Sequence, residues 1–255
     1  MAQGAVSIFV QLMKIINSKK ELGVYVQHAI NVYQEDGADA FAGALHEQIL
    51  KKKVRFPVLE YAARELYHTL PKKQIIPVTD KIVALDETGS YVLAGILLQC
   101  MLDTNHKRSI DKAVAYIIQG NEWYVCDIVG ERVMGHALLT MPEQTLPLLK
   151  KLAKHEDKWI VRCTGVATHY AIKKGLKKQY VAEMFRLLLS LSNTTDFHTK
   201  KGIGWAAKTT AKFHPDIVAQ YAAQVATDPE VKQWFKTKIK IGLGRSDKYA
   251  HRYNS

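Results

Sequence analysis

The sequence predicts an all-α protein, and three observations carry that prediction. Apolar residues recur at helical spacing. In YAARELYHTL (61–70) they fall at 61, 62, 66, 67 and 70, and in YVAEMFRLLLSL (180–191) at 180, 181, 184, 185, 187–189 and 191. Both patterns fit a period of about 3.6 and neither alternates as a half-buried strand would. Helix breakers interrupt the chain at Pro57, Pro71, Pro77, Gly89, Asn105, Gly120, Pro142, Asp157, Gly175, Asn193, Pro215 and Pro229, which limits each helix to a few turns. The third observation is a repeat. NEWYVCDIV (121–129), DKWIVRCTG (157–165) and DFHTKKGIG (196–204) align with Trp123, Trp159 and His198 at the third place, at intervals of 36 and 39 residues. Helix pairs of that length cannot bury their apolar faces alone and must stack on their neighbours. The expected architecture is therefore a HEAT/armadillo-like helical-repeat solenoid with a concave basic face, one domain over 1–255 ending in a flexible basic tail at 243–255.

The elements follow in order. MAQGAVSIFVQLMKIINSKK has no basic stretch ahead of its apolar run, and Gln11 interrupts that run, so no secretory signal is expected. YVLAGILLQCML (91–102) is apolar but only about half the ~20 residues of a membrane span, and reads as a buried helix. Asp157, Asp196 and Asp228 stand where N-caps are expected, each offering a carboxylate to the free N–H groups of a first turn. Trp159 and Trp234 read as core packing.

Charge is the strongest bulk signal. The 255 residues hold 36 Lys+Arg against 24 Asp+Glu, a net charge of +12, which favours a polyanionic partner such as nucleic acid. From Asp196 onward there are 11 Lys/Arg against 5 Asp/Glu, so less than a quarter of the chain carries half the excess. Cys100, Cys126 and Cys163 show no CxxC spacing, and the ten histidines form no HExxH. No zinc site, other metal or cofactor is expected, and the compartment is expected to be reducing and cytoplasmic. A monomer with no membrane partner completes that expectation.

One segment resists the bland reading. Trp123 and Asp127 lie four residues apart in an otherwise apolar stretch, so a helix places them on one face, one turn apart. Two further segments follow, DKWIVRCTG (157–165) and KKGIGWAAKTTAKFHPD (200–216). The order W-x3-D, then W-x2-R about 35 residues later, then K-x-I-G-W with a following Lys and Pro-Asp, spans roughly 105–225. In that order it resembles the AlkD family of DNA alkylation-repair glycosylases. Those are HEAT-like proteins that hydrolyse the N-glycosidic bond of cationic purines such as 3-methyladenine and 7-methylguanine. The resemblance implies Asp127 as the catalytic carboxylate, Trp123 and Trp205 as aromatic walls, and Arg162 as a phosphate-contacting arginine. It implies double-stranded DNA with alkylated bases as the partner, with Lys200, Lys201, Lys208 and Lys212 lining its backbone. The first half departs from the family: 49–66 keeps a Phe-Pro but lacks the usual tyrosine, and Tyr170 stands where a further basic contact is expected.

The residue types suit that chemistry independently. An N-alkylated purine is already a good leaving group, so the reaction chiefly needs stabilisation of the positive charge developing on the sugar. A carboxylate supplies it and can orient the attacking water. At ~4 Å and an effective dielectric of ~20 one such pairing is worth on the order of 4 kcal/mol before desolvation, or roughly 10³-fold in rate. Indoles facing the base add cation–π attraction of about 0.5–2 kcal/mol each. The sharpest rival makes Asp127 and Arg162 a structural pair tying neighbouring repeats. Two other readings stay open: a non-catalytic DNA-binding solenoid and a protein-interaction scaffold.

Overall fold

The computed structural model describes residues 15–252. Residues 1–14, which hold most of the stretch read for a secretory signal, and the last three of the basic tail lie outside the described residues. The contacts divide the chain into two compact units, one ending at Ser90 and one beginning at Tyr91.

In the first unit, α1 (Lys19–Leu45) starts at Ser18, whose Oγ accepts the Glu21 N–H at 3.1 Å. Gly37, at φ 82°, kinks it in a backbone region that favours glycine. A π-helical turn (His46–Leu50) follows, then α2 (Phe56–Thr69), a 3₁₀ turn (Lys72–Gln74) and α3 (Ile75–Val83). The helix read over 61–70 is α2, entered through Pro57 in its first turn. One feature carried no sequence signal: β1 (Ile15–Ile16) pairs in parallel with β2 (Lys53–Val54), a two-residue ribbon beside the run of lysines.

In the second unit the helices stack in sequence. The chain enters it through α4 (Thr88–Cys100), the apolar stretch read as a buried helix, with Leu93, Ala94 and Leu97 fully buried. α5 (Leu102–Gly120) bends at Asn105 (φ −144°, ψ 49°), where a break was expected, and ends on Asn121 in the left-handed region. Next come α6 (Trp123–Val129), a π-helical turn (Gly130–Gly135), α7 (His136–Thr140) and α8 (Pro142–Leu152). The remaining helices are α9 (Lys158–Lys173), α10 (Lys178–Ser190), α11 (Phe197–Phe213), α12 (Pro215–Ala219), α13 (Ala222–Thr227) and α14 (Gln233–Leu243). α6 packs on α9, α9 on α11 and α11 on α14, while α8 and α10 pack on each other and on α9. This is the all-α helical-repeat solenoid class the periodicity predicts, and the repeat is physical: the Trp159 and His198 rings, both at the third place, sit 4.4 Å apart.

Local sequence explains where these helices begin. Asp157 accepts from the Trp159 and Ile160 N–H groups at 2.8 and 3.3 Å, and Asp196 from Thr199 at 2.7 Å, as caps should. Asp228 is different. Its carboxylate accepts the Glu230 N–H at 2.9 Å and α14 starts only at Gln233, because the side chain closes a local turn across Pro229.

Glycines set the spacing of α9 and α11. A Cβ on Gly165 would fall on the backbone carbonyl of Gly202, and one on Gly202 would lie 2.6 Å from the Arg162 carbonyl oxygen and 2.7 Å from its Cγ. The two helices therefore touch backbone to backbone, with the Arg162 stem running through the gap.

Candidate functional site

Asp127 lies one turn into α6, and Arg162 one turn into α9. The guanidinium closes on the carboxylate with both forks: Nε donates to Oδ1 at 3.0 Å and Nη2 to Oδ2 at 2.8 Å. Nη1 donates to the carbonyl of His198 at 3.0 Å. Arg162 thus joins α6, α9 and α11, and its side chain is 7% exposed against 19% for Asp127. Burial pulls the guanidinium pKa down, but the hydrogen bonds and charge of Asp127 outweigh it and hold the value above the ordinary one. A bidentate, largely desolvated pair of this kind is rigid, and it leaves about half of the carboxylate's four lone-pair sites for other donors.

Around the pair the packing is polar and aromatic. Trp159 donates its indole N–H to Asn121 Oδ1 at 2.8 Å, and Cys126 donates Sγ–H to the Trp159 carbonyl at 3.2 Å. Burial raises the Cys126 thiol pKa well above its ordinary value, so it is an inert packing group. Trp123, one turn before Asp127, is 53% exposed, with an edge contact to the Tyr124 ring at 6.0 Å. Phe197, next to His198, is 62% exposed, and the Lys201 ammonium stands 5.0 Å from its ring centre. Lys200 is half-buried in the same first turn of α11.

Trp205 belongs to a second cluster. It lies seven residues beyond His198, ~10 Å along α11, and stacks on the buried His169 with ring centres 3.9 Å apart and planes 24° off parallel. His169 is in turn seven residues beyond Arg162, and its Nδ1 shares a 2.7 Å hydrogen bond with Thr209 Oγ1. A cavity of about 180 Å³ opens here, lined among others by His169, Lys173, Trp205, Lys208, Lys212 and Arg245. Burial, then the charges of Lys173, Lys208 and Lys212, depress the His169 pKa to about 3, so its ring is neutral at pH 7. Burial, then Lys238, Arg245 and Lys212, lower the Lys208 pKa.

The geometry therefore brings Asp127 and Arg162 together, with Trp123 on the same helix, and gathers Trp205, Lys208 and Lys212 two turns away. Lys200 and Lys201 stand beside the first group. Phe197, His169, Lys173 and Arg245 are additions that sequence reading missed. Helical phase was the usable signal: Arg162, Gly165 and His169 share a face of α9, as His198, Gly202 and Trp205 share one of α11.

Fold and site together define a helical-repeat protein with a clamped carboxylate and an adjoining cationic cavity on its inner helices. The model of the DNA alkylation repair enzyme family matches residues 25–238, and the chain belongs to that family. Its substrate is accordingly DNA. No curated protein and no solved structure gives a match to the chain. Among the described residues no helix is long and apolar enough to cross a membrane, and no three His, Cys, Asp or Glu side chains gather as metal ligands.

Proposed function

We propose that the chain is a DNA glycosylase that releases cationic alkylated purines, such as 3-methyladenine and 7-methylguanine, from double-stranded DNA. The observation that carries this reading is the Asp127 carboxylate, fixed on both oxygens by a nearly buried arginine one turn beyond an exposed tryptophan. The open lone pairs of Asp127 orient a water and face the charge developing on the sugar. Arg162 offsets part of the negative charge of Asp127, so its service is positioning: three of its donors are committed to Asp127 and His198, and phosphate contact passes to the lysines. Trp123 and Phe197 offer ring faces to the cationic base or its sugar, and Lys201 approaches the backbone beside them. Trp205 serves the second cluster, with Lys208 and Lys212. The same bidentate pairing also favours a second reading, a non-catalytic DNA-binding protein in which the pair only ties repeats.

One experiment separates the two. Asp127→Asn alone would strand a buried guanidinium and cost about 3–5 kcal/mol, mixing stability with chemistry. The double variant Asp127→Asn/Arg162→Gln removes both charges together and should remain folded. Base release from duplex DNA treated with a methylating agent is then compared at equal binding. A loss of about 10³-fold with intact DNA affinity is the expected result. Undiminished release from the double variant would reduce the pair to a structural tie, and no release by the wild type would leave the non-catalytic reading.

A further inference from the structure

The cavity beside Trp205 holds an electrostatic imbalance that the fold does not resolve. Lys173 at the end of α9, Lys208 and Lys212 one turn apart on α11, and Arg245 just past α14 all line it. Lys238 lies close enough to act on Lys208. Among the described residues, none of these five cations forms an ion pair and no carboxylate lines the cavity. The Lys212 ammonium rests on the Tyr249 ring, 3.5 Å from its centre, which holds the cation in place without neutralising it. One wall is the Trp205–His169 stack, with His169 carrying no charge at pH 7 and Thr209 presenting its hydroxyl to it. Like charges gathered around a half-enclosed space destabilise the folded chain, and an anion in that space relieves every one of the repulsions at once.

We propose that this cavity is a seat for a single phosphoryl group, supplied by the sugar-phosphate backbone of duplex DNA. Its 180 Å³ equals the liquid volume of about six waters, enough for one phosphoryl group with part of its hydration. Four cations converge on that one volume, which suits a single phosphate. A row of phosphates would be met by cations spaced along a helix face. The seat lies on the two helices that hold Arg162 and His198, ~10 Å further along them, the rise of about three nucleotides in one strand. A phosphate held there fixes the register of the duplex against Asp127. The inference deepens the reading above, and rests on it only for that register.

The test is duplex binding, which needs no base release. Fluorescence anisotropy of an unmodified labelled duplex is followed across about 50–300 mM salt for the wild type and for Lys173→Ala/Arg245→Ala. Loss of one seated phosphate lowers affinity about tenfold at moderate salt and makes the log–log salt slope shallower by about one. A slope shallower by about two would mean two independent surface contacts and would overturn the single seat, and unchanged affinity would overturn the DNA backbone as its occupant. Inorganic phosphate, against chloride at equal ionic strength, should alter Trp205 emission in the wild type but not in Trp205→Phe or in the double variant. Absence of that response counts against the seat. A response with unaltered duplex affinity keeps the seat but replaces the DNA backbone by free phosphate as its occupant. Thermal melting controls for folding: the double variant, having lost like charges, should melt no lower than the wild type. Base release that vanishes while the anisotropy results hold defeats the glycosylase reading alone. The reverse outcome defeats only the seat.

Discussion

The two clusters on α9 and α11 use the same pair of helices and oppositely resolved electrostatics. At the first, Arg162 is nearly buried and its guanidinium donates to both oxygens of the Asp127 carboxylate and to the His198 carbonyl. At the second, two turns on, cations converge with no acid among the described residues that line the cavity. The first is internally satisfied, so it holds a fixed geometry without help. The second is complete only when something negative arrives. A desolvated pair suits a group that must not move during chemistry, and an unneutralised cluster suits a group that must bind and let go.

Breaking the contact that both clusters share should have the largest effect. Gly165→Ala sets a methyl group against the Gly202 backbone, where no side chain can rotate away. The helices must part, which costs at least about 3 kcal/mol and lowers the melting temperature by roughly 10 °C. Arg162 would lose its His198 contact and Trp205 its stack on His169, so DNA binding should weaken even at temperatures where the chain is folded. A variant with wild-type melting would show that the close approach matters for neither cluster.

The next comparison turns on pH. His169 has its folded pKa depressed from 6.5 to about 3, so the unfolded chain binds the proton more readily. The stability this neutral ring contributes is complete above about pH 6.5 and falls as pH drops toward 3, with a slope of order 1 kcal/mol per unit. His169→Asn keeps a polar partner for Thr209 and removes the titration. The wild type should lose about 2 kcal/mol relative to that variant between pH 6.5 and pH 5, read from denaturant melts. The Asp127–Arg162 ion pair contains no histidine side chain, so an Arg162 variant, which keeps His169, should show the same acid loss as the wild type, and the loss persisting in His169→Asn would place the titration elsewhere.

Much of this was legible in the sequence. The helical period, the Asp157 and Asp196 caps and the 36- and 39-residue intervals are local features, and each survives into the structure. The possibility that Asp127 and Arg162 pair was also readable, since they stand at adjacent places, the seventh and the sixth, of successive repeats. What the sequence hid depends on phase between helices. Trp205 and His169 are 36 residues apart with different neighbours, and only the Gly165–Gly202 contact brings their faces together. Asp228 looked like Asp157 and Asp196, but Pro229 turned its carboxylate to a local turn. Exposure of Phe197 was hidden too: a large apolar residue is ordinarily buried, and here its ring lies outside beside Lys201.

The smallest predicted effect is the sharpest discriminator of the two clusters. Lys208→Met removes one cation from the unneutralised group while keeping the length of the side chain. Lys208 and Lys212 are like charges one turn apart, so the substitution should stabilise the free protein by about 0.2–0.5 kcal/mol at low salt. The gain should fade as salt shortens the screening length to a few ångströms near 1 M. Affinity for duplex DNA should fall at the same time. Stability and binding then move in opposite directions, as expected for charge held in reserve for a ligand. If Lys208→Met instead destabilises the free protein at low salt, the ammonium has a partner in the folded chain, and the contrast between a satisfied and an unsatisfied cluster collapses.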